Sequence, residues 1–309
     1  MKTSEKKDII IPAPLEPGDK VVFTSPSGTV KAENVEIAAE ILREFGWEVE
    51  IAPHALGKYN TYSGTPEQRF ADLRNALLDP QVKAIICSRG GYGAVHILDE
   101  LDKLPLRENA KWIVGFSDIS ALHALMARHG IVSVHAPMAG HIAKHQGEDE
   151  DTQTLVSLLE GDMPWYLLDS HELNRNGTAR GKLVGGNLAV IADLISTPYD
   201  VFEPGAILFI EDVAEPVYKI ERIMYQLKMS GALAKLGGLI VGKFTDYTPG
   251  VDGQTMEEMI AQMVKEYDYP VAMGVPVGHV SHNIPLPVSA PVTLIVRPGD
   301  TIIDFSGKE

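Results

Sequence analysis

The stretch "KWIVGFSDISALHALMARHG", Lys111 to Gly130, decides how the chain is read. An apolar run ends in Gly115-Phe116-Ser117-Asp118 and passes straight into apolar residues at helical spacing. A strand that turns into a helix within a few residues is half of a β-α-β unit, and the flanking sequence repeats it. Upstream, "KVVFTS" (20–25) breaks at Pro26-Ser27-Gly28 and gives way to the helical pattern of "AENVEIAAEILREFG" (32–46). Then come "EVEIA" (48–52), a helix over "TPEQRFADLRNALLD" (65–79) and a strand "VKAIICS" (82–88). A glycine-rich turn leads to "AVHILDELD" (94–102), and "IVSVHAP" (131–137) follows the quoted helix. Repeated β-α-β units predict a parallel sheet covered by helices on both faces, Rossmann- or flavodoxin-like. Ligands of such sheets collect beyond the carboxyl ends of the strands. Both "SRGGYG" (88–93) and "FSD" (116–118) fall there.

Further along, the acidic run 148–151 reads as the charged start of a helix, since carboxylates favour the positive end of the helix dipole. The polar stretch "MPWYLLDSHELNRNGTARG" (163–181) reads as an irregular linker. A second unit opens at "KLVGGNLAVIADLIS" (182–196). It holds a strand "AILFIED" (206–212), a helical stretch over 216–236, a strand "GGLIVGKF" (237–244) and a helix over 255–267. A terminal hairpin turns at Pro298-Gly299-Asp300. The expected organisation is an N-terminal parallel α/β domain (1–165), a linker (166–180) and a smaller mixed α/β, partly antiparallel C-terminal domain (181–309).

With 309 residues, 45% hydrophobic and 22% charged, the chain has enough apolar sequence for two ordinary domains. A formal charge of −15 argues against nucleic acid and anionic membrane as partners. One cysteine, Cys87, permits no intrachain disulfide and suits a reducing compartment. The apolar run near the start is too short for a signal peptide, and no stretch is long enough to span a bilayer, so the cytoplasm is expected.

Ser117 sits where a serine is either a helix cap or a nucleophile on a sharp turn. Gly115 two residues before it matches the first half of the elbow G-x-S-x-G, but Ile119 stands where the second glycine would be. In "SRGGYG", the glycines allow a close backbone approach and their N–H groups can face an anion. A dinucleotide fingerprint is broken there by His96, so an oxyanion hole fits better, and no cofactor is expected. Glu211 and Asp212 end an apolar strand, and His279 follows Gly278 in a loop. The pairs His141/His145 and His279/His282 lack the glutamate of a zinc-protease helix, so no metal is expected. Cys87, inside an apolar strand, reads as inert packing.

Taken together, "SRGGYG", "GFSDISALH" (115–123), "FIEDVAEPVYKIERIM" (209–224) and "VGHVSHNIPLP" (277–287) resemble the LD-carboxypeptidases of serine peptidase family S66. The resemblance runs from "LEPGDKVVFTSPSG" (15–28) to the terminal hairpin. It implies a Ser–Glu–His triad of Ser117, Glu211 and His279, an oxyanion hole from the N–H groups of Gly91 and Asp118, and a homodimer. Glu215 is the alternative acid. The implied activity is release of terminal D-alanine from the murein tetrapeptide during cell-wall recycling. Other members of the family detoxify a peptide-nucleotide antibiotic. A non-catalytic two-domain binding protein is the reading from another class. Arg89, Lys219, Arg222 and Lys243 are the candidates for holding the peptide's terminal carboxylate.

Overall fold

In the computed structural model, which describes residues 8–307, the quoted stretch forms a strand and helix joined by a tight turn, at the centre of a six-stranded sheet. The strands β1 (Lys20–Thr24), β2 (Glu48–Ile51), β3 (Val82–Cys87), β4 (Trp112–Gly115) and β5 (Ser133–His135) are parallel, in the spatial order β5-β4-β3-β1-β2. Val21, Phe23, Ala84 to Cys87 and Trp112 to Val114 are buried on both faces of the sheet. Such double burial explains why these strands read as continuous apolar runs rather than alternating ones. One covering helix, Pro66–Leu78, starts at a capping box formed by Thr65 and Gln68.

The second sheet has seven strands. They are β6 (Trp165–Asp169), β7 (Gly177–Asn187), β8 (Ile207–Val213), β9 (Gly238–Thr245), β10 (Val271–Ala272), β12 (Pro291–Val296) and β13 (Asp300–Asp304), in the order β10-β9-β8-β7-β12-β13-β6. From β10 to β7 the pairing is parallel; from β7 through β12 and β13 to β6 it is antiparallel. The α/β class and the mixed second sheet are those expected from the sequence.

Four details differ. The polar stretch taken for an irregular linker supplies β6 and the start of β7. Its polar appearance has a cause, because β6 is an edge strand with alternate residues exposed. A helix at Ala139–His145, not foreseen, follows β5. The helical stretch 216–236 is two helices, Val217–Met229 and Ala232–Lys235, split at Gly231, whose φ of +74° cannot continue a helix. Finally β11 (Leu286–Val288), from the distal part of the chain, crosses back to pair antiparallel with β5 and closes the edge of the first sheet. Two prolines in "NIPLPV" hide it in the sequence, yet proline is tolerated in a strand that has a neighbour on one side only. One continuous apolar cluster joins Ile85, Ile113 and Leu122 of the first half to Leu188, Ile210 and Met224 of the second, so the two sheets share a core.

Candidate active site

Beyond the end of β4 the backbone makes its turn in three steps. Gly115 has φ +156°, Phe116 is extended, and Ser117 lies in the left-handed region at φ +66°. A non-glycine residue there costs about 1–2 kcal/mol. Ser117 opens a short 3₁₀ turn, Ser117–Ile119, that runs into the helix Ser120–Arg128. The cap positions are Phe116 and Ile119, so Ser117 does not cap the helix. Behind the turn, His123 is fully buried and binds the Gly115 carbonyl through Nε2 and the Ser133 hydroxyl through Nδ1, both at 2.8 Å. Burial holds its pKa down at about 4, against the raising effect of the Gly115 hydrogen bond, so the ring is neutral and Nε2–H donates to the carbonyl.

The glycine turn after β3 lies directly against Ser117. A Cβ on Gly90 would stand 2.7 Å from Ser117 Cβ, 2.9 Å from its Oγ and 3.2 Å from the Asp118 nitrogen. Only glycine allows this approach. Gly91 follows at φ +106°. The buried carboxylate of Asp118 accepts from the Ser27 hydroxyl at 2.5 Å and from the Ala94 N–H at 2.8 Å. It thereby ties the turns after β1, β3 and β4 to one another.

His279 reaches the same region from the second half. Its Nδ1 lies 2.7 Å from Oε2 of Glu211, which is fully buried near the end of β8. A Cβ on Gly278 (φ +123°) would come within 2.7 Å of that same oxygen, so glycine is again required for the approach. The Asn283 side chain accepts from the Gly278 N–H at 2.8 Å, and the Asn283 N–H donates to Asp151 at 2.7 Å, which fixes the loop. The His279 ring packs edge-on against Phe116, centroids 4.9 Å apart, and Phe116 immediately precedes Ser117. Burial opposes the charged form of His279. The hydrogen bond and charge of Glu211, with Asp212 and Asp246 beyond, outweigh it and raise the pKa above the usual histidine value. Glu215, the alternative acid, is paired with Lys219 at 2.7 Å instead.

The two halves also meet just past the Ser117 turn, where the Asn187 N–H donates to the Ser120 hydroxyl at 2.8 Å. The Asn187 side chain in turn donates to Asp212, which also accepts from the N–H groups of Ala189 and Val213. His123, Asn187 and Asn283 were not singled out from the sequence; the only signal for them is a polar residue inside an otherwise buried pattern.

A cavity of about 650 Å³ opens beside His279 and Phe116, with Lys31, Arg89, His141 and Lys144 in its wall. Of the four candidate carboxylate-binding cations, only Arg89 lines it. Lys219 is held by Glu215, Arg222 lies over the Tyr218 ring, and Lys243 sits beside Gly274. Neither histidine pair forms a shared site with its sequence neighbour. His279 binds Glu211, His282 binds Asp151, and His141 binds Asp149 at 2.8 Å, with the His145 ring tilted against that of His141. His141, Asp149 and Asp151 do bring ligand-type atoms within 4.8 Å of one another, but Asp149 also caps the helix Glu150–Leu159. Cys87 is fully buried, and burial pushes its thiol up to about 12, which makes it inert. No described helix is long and apolar enough to cross a membrane.

Residues 21–136 match the LD-carboxypeptidase N-terminal domain, and residues 180–294 match the LD-carboxypeptidase C-terminal domain. The murein tetrapeptide carboxypeptidase of Pseudomonas aeruginosa is 30% identical over 277 residues, covering 85% of this chain and 89% of its own. The chain belongs to the LD-carboxypeptidase family. Among solved structures, the muramoyltetrapeptide carboxypeptidase of Oxalobacter formigenes is similar with a TM-score of 0.83 at 27% identity, covering 92% of this LD-carboxypeptidase family member and 97% of that chain. The microcin C7 self immunity protein MccF, solved with aspartyl sulfamoyl adenosine, gives the same TM-score at 22% identity, over 95% of this chain and 98% of that one, and shows the shared fold. This member of the LD-carboxypeptidase family is therefore a peptidase.

Proposed function

We propose that this peptidase is a serine-type L,D-carboxypeptidase that releases the terminal D-alanine from murein tetrapeptides, with Ser117, His279 and Glu211 as its triad. The observation that carries the reading is the His279–Glu211 pair at 2.7 Å, buried on the carboxylate side, with its ring against the residue that precedes a serine on a left-handed turn. Nδ1 is engaged by Glu211, so Nε2 is the nitrogen left to serve Ser117. It takes the hydroxyl proton as Ser117 Oγ attacks the carbonyl between an L-centre and D-alanine. Glu211 fixes the imidazole's orientation and stabilises its charged form. The N–H groups of Gly91 and Asp118, on the two turns that meet at Gly90, hold the oxyanion. His279 returns the proton to the amine of the leaving D-alanine. Water, activated by the same imidazole, then cleaves the acyl-enzyme and regenerates Ser117.

The reading extends to a cytoplasmic homodimer acting in peptidoglycan recycling, as the family resemblance and the single cysteine suggest. Mass spectrometry of a murein tetrapeptide incubated with the enzyme tests the central claim. The expected product has lost one D-alanine. Little release is expected from a pentapeptide ending in D-alanyl-D-alanine, because shifting it to keep the terminal carboxylate in place would put a D-centre on the acyl side. Comparable rates on both peptides, or cleavage only of an aminoacyl nucleotide, would replace this reading with that of a broader amide hydrolase or of an antibiotic-detoxifying relative.

A further inference from the structure

The cavity beside His279 is charged opposite to the protein as a whole. The chain carries 42 aspartates and glutamates against 27 lysines and arginines, yet no carboxylate lines this cavity. Lys31, Arg89, Lys144, His141, His145 and His279 do. The three permanent cations come from three elements. Lys31 is the residue before the helix Ala32–Glu44, Lys144 lies in the last turn of the helix Ala139–His145, and Arg89 stands in the glycine turn after β3. Among the described residues none of the three is in a salt bridge, whereas Lys20, Lys182, Lys219 and Lys228 each hold a carboxylate. Arg89 gives one N–H to the Thr29 carbonyl at 2.7 Å, which fixes the guanidinium while leaving other donors of its fork for a ligand. The carboxylates of the adjoining wall are occupied: Asp149 by His141 and Thr152, Asp151 by His282 and the Asn283 N–H. A concentration of positive charge in a concave site of an acidic protein draws anions to that site in preference to the rest of the surface.

We propose that this cavity is a subsite for the carboxylates of an acidic peptide, with Arg89 taking the terminal carboxylate and Lys31 and Lys144 taking a further carboxylate along the chain. The proposal rests on the carboxypeptidase reading and narrows it to peptides that carry more than one free carboxylate. Arg89 is assigned the terminal group because it adjoins Gly90, which touches Ser117. A nucleotide fits less well. Phe116 is the only carbocyclic aromatic in the wall, and its ring already meets His279 and His135, which leaves no open platform for a base.

The test measures binding rather than turnover, by calorimetry on the Ser117→Ala enzyme. The ligands are a tetrapeptide with a free side-chain carboxylate, the same peptide with that group amidated, and adenosine monophosphate. The acidic peptide is expected to bind about tenfold or more tightly than the amidated one, as for a charge-assisted hydrogen bond, with the gap narrowing as salt is raised. Adding Lys31→Ala and Lys144→Ala is expected to remove the gap, and Lys31→Arg with Lys144→Arg to keep it. Circular dichroism checks that all variants are folded. Equal binding of the two peptides, including no binding of either, or a gap that survives in the double alanine variant, would overturn the subsite. Tighter binding of adenosine monophosphate than of the acidic peptide would overturn it in favour of a phosphate site. If the gap appears as expected but wild-type enzyme cleaves neither peptide, the subsite stands and the carboxypeptidase reading fails.

Discussion

At Ser117, backbone strain and proposed chemistry coincide. A left-handed serine is held there by Gly115 on one side and the 3₁₀ turn on the other. Ser117→Ala keeps the strain and removes the hydroxyl. Turnover should fall by ~10⁶, as when a triad serine is lost, with little change in thermal unfolding. Ser117→Gly removes both hydroxyl and strain, so it should be as inactive yet more stable by about 1 kcal/mol, read by denaturant titration. A helix-cap serine would behave otherwise, losing stability and keeping activity. In the proposed mechanism His279 sets the pH dependence. Its neutral form is the base there and its pKa is raised, so kcat/KM should drop on acidification through a midpoint above the ordinary value of about 6.5. In Glu211→Gln the imidazole titration, followed by NMR, should move to lower pH, and kcat should fall by ~10⁴. The folded state holds this proton more tightly than the unfolded chain. The pair's contribution to stability is therefore complete below the unfolded pKa and fades as pH rises through the raised folded value.

The elements that carry the site meet through glycines, and their fit is the next thing to test. Gly90→Ala would drive a methyl group into Ser117, and Gly278→Ala would drive one into Glu211. Both should retain the fold, seen by circular dichroism, and lose activity by at least ~10²-fold, the usual scale for a reacting group displaced by about 1 Å. Gly299→Ala, in the hairpin turn with open space around it, should change stability by no more than about 0.5 kcal/mol and leave rates unaltered. These elements were legible in different degrees. The central strands and their helices could be read because buried parallel strands are apolar throughout and the helices are amphipathic. The edge strand β2 could be read as well, but the edge strands β6 and β11 could not. β6 alternates exposed side chains, and β11 has three residues with a proline among them. Ser117, Gly91 and His279 stand out because a glycine or a strand end announces them. His123 and Asn283 act through partners on other elements, His123 through the end of β4 at Gly115 and through Ser133 of β5, Asn283 through Gly278 and the distant Asp151, and no helix or strand periodicity shows such a partnership.

For the whole molecule, the site is assembled between halves that share a core and a hydrogen-bond seam at Ser120–Asn187. No step of the proposed reaction calls for an ion, and the polar atoms of His141 and Asp149 already satisfy each other. Hydrolysis should therefore survive dialysis against a strong chelator, with the same Tm before and after. Loss of activity restored by zinc would instead point to His141, Asp149 and Asp151 as ligands.

The return of β11 to the first sheet bears on when this protein becomes an enzyme during its own synthesis. Ser117 is synthesised long before Leu286–Val288, and the edge of its sheet stays open until that segment emerges and pairs with β5. The loop that bears His279, the proposed base, lies just ahead of that strand, so the segment that closes the sheet also brings in His279. With the proposed triad, a nascent or prematurely terminated chain ending before residue 286 is expected to be a silent precursor. It also has an unsatisfied strand edge, the feature that proteases and chaperones meet first.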